Sequence, residues 1–238
     1  MKIILKIIVL ISIIFPVSIT KAKGTQIQDN KLYVLANNGL TLRKESTIKS
    51  DKITVVPYGA TVEVLEKSKK LTMKVDHISG DMYKVKYNDL TGYIFSGYLS
   101  KFPAPIKNSE TEKYVEILRQ NNFDVYFEEV KRDFNGYYQY EVSFSLPTDS
   151  WEEAFLIAKQ FYAIPEKINF PDEAHEKIEN PDKEDEVWSD EIIRTNDDKT
   201  GGLALNYSYR REGGGYYIIV KKDSENNGFR ITHTAIAD

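Results

Sequence analysis

The side chains able to do chemistry are few in kind and widely spaced. His77, His175 and His233 stand in distant segments, and none has a second histidine at the spacing of a metal-ligand pair, so no metal site is expected. His77 falls in a polar insertion and His175 in an acidic stretch, where both are expected in solvent. His233 falls in the last strand pattern and there either points out of the sheet or makes one internal bond. The chain has no cysteine, hence no thiolate nucleophile, no disulfide and no lipid-bearing cysteine. No G-x-S-x-G elbow is present, and Phe95-Ser96-Gly97 reads as a turn. The runs Gly201-Gly202 and Gly213-Gly214-Gly215 lack the following Lys-Ser/Thr of a phosphate loop and read as hairpin turns. Asp172, Glu173, Glu176, Glu179, Asp182, Glu184, Asp185, Glu186, Asp190 and Glu191 crowd one stretch. They lack the alternation and central glycine of a calcium loop and read as a solvated acidic face. A hydrolase that draws two carboxylates from distant strands stays open.

The positive signal is aromatic. Tyr58, Tyr83, Tyr93, Phe95 and Tyr98 fall in one β-patterned stretch with Arg43. Aromatic faces beside a cation suit a shallow groove for a peptide or a sugar, and these six residues are the candidate ligand-binding set. Nothing in the sequence calls for a cofactor.

These residues need elements to hold them. Lys2 and Lys6, an apolar run over residues 7–19 and the small-residue site Thr20-Lys21-Ala22 make residues 1–22 a signal peptide, too short in its apolar run to span a bilayer. No later stretch is apolar enough to span. The net charge is −4, and losing the lysine-bearing leader makes the mature chain more acidic, which argues against a nucleic-acid partner. Residues 23–30 are a flexible lead, 31–102 a dense β pattern, and 103–108, opened by Pro103-Ala104-Pro105, a linker.

Residues 109–238 read as α+β: an antiparallel sheet with two helices on one face. Ser109-Glu110-Thr111-Glu112 is a capping box before a helix whose buried face is Tyr114, Val115 and Leu118. Phe123, Val125 and Phe127 alternate into an Asn135-Gly136 turn, and Tyr138, Tyr140, Val142, Phe144 and Leu146 alternate on the return. Ser150-Trp151-Glu152-Glu153 repeats the capping box before the stripe Ala154, Phe155, Ala158, Phe161 and Tyr162. Residues 166–186 read as an exposed acidic loop, and strands are predicted over 187–195, 203–210, 216–222 and 229–236.

Within 31–101 the chain resembles the bacterial Src-homology-3-like (SH3b) domain family. Asn38-Gly39-Leu40-Thr41-Leu42-Arg43 looks like the family's opening strand. Residues 53–65, with Pro57-Tyr58-Gly59 at their centre, are similar to its strand, glycine turn and alternating strand. Gly92-Tyr93-Ile94 and Tyr98-Leu99 match its closing hairpin and ending. Tyr83 stands where a tryptophan is common, Lys44-Glu45-Ser46 departs from the usual small residues, and residues 66–80 form a lysine-rich insertion. The resemblance implies a small SH3-like barrel that binds cell-wall peptides or peptidoglycan, often beside a hydrolase. A cysteine peptidase partner domain is impossible here. The resulting expectation is an exported bacterial envelope binding or adaptor protein, periplasmic or secreted, that docks on a wall component or an envelope protein, with no catalysis required. A carboxylate-based wall hydrolase and a periplasmic inhibitor or assembly factor are the alternatives. The oligomeric state is not legible.

Overall fold

The computed structural model describes residues 30–68, 73–134, 137–196 and 202–237. The expected signal peptide, residues 23–29 of the lead and the Asn135-Gly136 turn lie outside the described residues.

The N-terminal half runs β1 (Lys31–Val34), β2 (Leu40–Arg43), β3 (Lys52–Val56), β4 (Thr61–Glu66), β5 (Met73–Val75), β6 (Ile78–Gly80), β7 (Met82–Tyr87), β8 (Leu90–Phe95), a 3-10 turn at Ser96–Tyr98, and β9 (Leu99–Ser100). All but β5 and β6 join one sheet in the order β3-β2-β8-β7-β4-β1-β9. Each of its strands sends residues to a single cluster: Val34, Leu42, Val56, Val62 and Val64, Val85, Ile94, and Leu99. A sheet whose strands all converge on one cluster is wrapped around it, as in a small barrel. Val62 and Val64 are buried while Thr61 is exposed, the alternation expected of a pleated strand.

Gly59 takes φ +76°, the left-handed geometry its turn requires. Gly92 is needed for a different reason than the tight turn its place in the sequence suggests. It sits inside β8, where an added Cβ would lie 2.5 Å from the Arg43 carbonyl oxygen and 2.9 Å from Ile53 Cδ1. The closeness of β2 to β8 therefore depends on a missing side chain. Gly92→Ala is expected to lower stability by roughly 2 kcal/mol, within the usual range for overpacking. A loss of less than a quarter of that, obtained from denaturant unfolding, would show that β2 can move aside.

Within the insertion that departs from the family pattern, residues 73–80 form the β5–β6 hairpin. Asp76 and His77 turn it with φ 49° and 66°. Its tip reaches the C-terminal half, where Lys74 Nζ and His77 Nδ1 lie 3.0 and 3.2 Å from Asp172 Oδ2.

The C-terminal half runs α1 (Thr111–Gln120), β10 (Phe127–Phe134), β11 (Tyr137–Leu146), α2 (Trp151–Phe161), β12 (Lys177–Glu179), β13 (Val187–Asn196), β14 (Leu203–Arg211), β15 (Gly214–Asp223) and β16 (Gly228–Ala237). The sheet is antiparallel, in the order β10-β11-β16-β15-β14-β13-β12. Phe144, Ile231, Val220 and Leu205 form one register row on the face that the helices cover. Tyr114 of α1 and Phe161 of α2 both pack on Phe144, at 5.9 and 6.3 Å between ring centroids.

Several local expectations are corrected. Ser109 does not cap α1. The N-cap is Glu110, without a side-chain cap bond. Ser150 does cap α2, its Oγ accepting from Glu153 N at 3.1 Å, but Glu153 does not reach back. Instead its carboxylate accepts from Ser100 Oγ at 2.7 Å, Lys101 N at 3.1 Å, and Thr148 Oγ1. The first arm of the β10–β11 hairpin starts at Phe127 rather than Phe123, whose ring leaves the sheet to lie 4.6 Å from Phe102. The stretch 166–186 is not simply an exposed loop, because Ile168 and Phe170 are buried and β12 pairs with β13.

α2 is buried on nearly all sides, Lys159 and Gln160 included. A helix covered all round needs layers on both flanks. Here it contacts β15 and β16 on one side and the 3-10 turn of the barrel on the other. The Lys159 ammonium is reconciled to burial by donating to the Glu166 and Ile168 carbonyls, both at 2.8 Å.

Candidate ligand-binding site

The six residues expected to form a groove on the barrel are not gathered into one. Register pairs Tyr83 with Ile94, so Tyr83 shares the face turned to the barrel core, while Tyr93 and Phe95 point to the other face. That other face is covered. Phe95 is 5% exposed and belongs to the same buried cluster as Tyr114, Phe144 and Phe155, with Tyr58, Tyr93 and Tyr98 packed against it. Tyr58 donates to the Pro105 carbonyl at 2.6 Å, and burial pushes its phenol up to about 12. Tyr98 donates to Asp76 Oδ2 at 3.3 Å, and its phenol is raised by burial first and by Asp76 second. Arg43 Nη1 donates to the Ser50 carbonyl at 2.7 Å, which closes its own loop. Tyr83 lines a crevice of about 290 Å3 together with Ser150 and Glu152 at the start of α2. The aromatic face of the barrel is thus the surface on which the C-terminal half is seated.

A larger opening lies elsewhere. A cleft of about 640 Å3 opens between the start of α1 and the end of α2, over the sheet. Its floor comes from adjacent strands. Val142 and His233 are direct register partners, as are Tyr140 and Ala235, and Ala235 and Tyr216. Ala235 therefore stands between two tyrosines, and its small side chain leaves room between them. Tyr162, at the C-cap of α2, stacks on the His233 imidazole at 4.8 Å and 7° between planes. Tyr216 approaches the same imidazole at 5.6 Å, and Tyr209 stacks on Tyr216 at 5.3 Å.

Burial alone lowers the His233 pKa to about 4, so the ring is neutral at pH 7. Neither of its nitrogens has a hydrogen-bonding partner among the described residues. Neither is sealed from solvent. A neutral imidazole in this state offers one donor and one acceptor to whatever enters. The Tyr162 phenol is raised by burial, and its oxygen lies 3.5 Å from Thr111 Oγ1. Behind Tyr216, Tyr207 donates to Asp190 Oδ1 at 2.7 Å, and Asn180 donates to Asp190 Oδ2 at 2.6 Å. Asp190 is 5% exposed, so it leaves the solvated acidic face predicted for its neighbours and anchors the aromatic wall instead.

Carboxylates rim the cleft. Glu110 carries Lys113 at 3.2 Å and Glu129 carries Lys131 at 2.6 Å, whereas Glu112 has no cationic partner among the described residues. Lys131 Nζ also lies 5.6 Å from the Tyr140 ring centroid. Elsewhere the acidic stretch is internally bonded. Glu176 Oε2 accepts from the Asp172 and Glu173 amides, and Lys177 bridges Glu179 and Glu191 at 2.9 and 2.7 Å. Among the described residues no three His, Cys, Asp or Glu side chains converge on a point where a metal ion would sit. What the cleft can do is hold a ring between aromatic walls and exchange hydrogen bonds with its edge.

Residues 38–100 match the bacterial SH3 domain family, which supports an SH3-like domain in this part of the chain. No curated protein and no solved structure matches the chain.

Proposed function

We propose that this is an exported bacterial envelope protein that binds rather than transforms its target, with the SH3 domain and the C-terminal cleft acting as one body on the cell wall. The carrying observation is the bacterial SH3 domain over residues 38–100, a family whose members commonly bind cell-wall components. The aromatic cleft supports the reading from the other half, since stacked rings, a neutral imidazole and a lysine-paired rim are features of recognition. Export rests on the leader pattern of residues 1–22, with the mature chain periplasmic or secreted. Among the described residues no helix is long and apolar enough to cross a membrane. The two halves belong to one binding unit because the barrel's aromatic face is spent on their junction.

Purified residues 23–238 are expected to sediment with isolated peptidoglycan sacculi at physiological salt. Protein left in the supernatant across a range of sacculus concentrations would remove the wall from this reading.

A further inference from the structure

We infer that the cleft between α1, α2 and the second sheet is a binding site for an uncharged sugar chain, with one pyranose ring held against Tyr140 and Tyr216. The idea takes the identity of the wall target from the function proposed above, but the site itself follows from the geometry.

The first argument is shape. Tyr140 and Tyr216 flank Ala235 in one register row, so a small side chain separates two tyrosines on the floor of the cleft. A pyranose presents an apolar C–H face that lies well on an aromatic ring, and the cleft's volume of about 640 Å3 admits more than one such ring.

The second argument is hydrogen bonding. Sugar hydroxyls are donors and acceptors at once, so their site must offer both. Glu112 supplies acceptors alone, Asn108 supplies a donor and an acceptor, and His233 supplies one of each from nitrogens the described protein leaves unused. The free state of His233 is informative. Its nitrogens face solvent and no protein group, so a ligand hydroxyl would take the place of water there without breaking a bond within the protein.

The third argument is charge. Glu110, Glu112 and Glu129 rim the opening, and the chain as a whole is acidic, which excludes anionic sugars. A cationic ligand would have to displace Lys131, which already sits on Glu129 and beside the Tyr140 ring.

The test is titration calorimetry of residues 23–238 with a β-1,4-linked tetramer of N-acetylglucosamine, and with a uronic-acid tetramer of equal length. Binding of the neutral tetramer is expected and binding of the uronic-acid tetramer is not. Tyr140→Ala is expected to weaken binding at least tenfold and Glu112→Gln several-fold. Glu112 is exposed on the first turn of α1, so its variant does not threaten the fold. Tyr217→Ala, on the opposite face of the sheet beside Arg210, is expected to change nothing. Equal affinity for both tetramers, or binding that ignores Tyr140 and Glu112, would overturn the site. Sacculus binding without any binding of the neutral tetramer would also overturn it, while leaving the wall-binding function standing.

Discussion

Replacing Phe102 with alanine is expected to cost about 3–5 kcal/mol and to split one unfolding transition into two. Phe102 ends the barrel segment, is 0% exposed, and lies 4.6 Å from Phe123, which belongs to the C-terminal half. It is part of a buried cluster that runs without a break from Leu35, Ile78, Met82 and Phe95 to Tyr114, Phe144 and Phe155. Polar bonds reinforce the same seam: Ser100 to Glu153, Lys101 to the Pro147 carbonyl, and Tyr114 to the Pro103 carbonyl. With the core continuous, neither half loses its contacts alone, and the wild-type chain is expected to unfold in one step. Both tryptophans, Trp151 and Trp188, lie in the C-terminal half, so their fluorescence reports that half while far-ultraviolet circular dichroism reports both. In the wild type the two signals should coincide. In Phe102→Ala they should separate, with the lower transition falling by roughly 8–15 °C. Coincident signals and a shift of only a degree or two would mean that the seam is a contact between independent units.

The seam was partly legible in the residues. Tyr93-Ile94-Phe95 is a continuous apolar run, and such a run marks a strand covered on both faces rather than one with a solvated side. Reading those rings as a groove required the outer face of β8 to be open, and the covering layer comes from the C-terminal half, including Tyr114, Phe144 and Phe155, through tertiary structure. α2 carried a similar signal, because Phe155, Leu156 and Ile157 are consecutive and no single stripe accommodates all three. Ser150 was legible as a cap because capping is local. Glu153 was not legible as the anchor of the barrel, since the groups that compete for its carboxylate, Ser100 and Lys101, arrive through tertiary structure. The cleft was hidden for the same reason. Tyr140, Tyr216 and His233 each read correctly as strand residues, but only the pairing of β11 with β16 and of β16 with β15 sets Ala235 between the tyrosines. Register of this kind is fixed by the whole hydrophobic pattern of the sheet and by its turns, not by any one segment.

The neutral His233 has a second measurable consequence, a loss of stability on mild acidification. In the unfolded chain an imidazole titrates near its ordinary value of about 6.5. In the folded chain burial lowers that to about 4. Between these values the unfolded state holds one more proton than the folded state, so falling pH favours unfolding. The stabilisation is complete above about pH 6.5, drains away through this window, and is gone below about pH 4. Its ceiling is about 3 kcal/mol, from the energy equivalent of the shift. The groups that face His233 are the phenols Tyr162 and Tyr216, with Glu110, Glu112 and Glu129 on the rim of the same cleft. None of these acids offsets the burial that lowers the His233 pKa. Asp223, which burial would raise but bonds from Ser145, Asn226 and Arg230 hold down to about 2, acts in a lower window, losing its contribution only as pH falls below about 4. Denaturant unfolding of the wild type should therefore weaken between pH 7 and pH 4.5. In His233→Gln, which keeps a polar group in the cleft but cannot titrate, the decline over that interval should be shallower by more than 1 kcal/mol. Parallel pH profiles for the two proteins would mean that the imidazole protonates inside the folded cleft as readily as in water. The ring would then enter the cleft charged on mild acidification, and the donor-acceptor role argued for it would hold only above that pH.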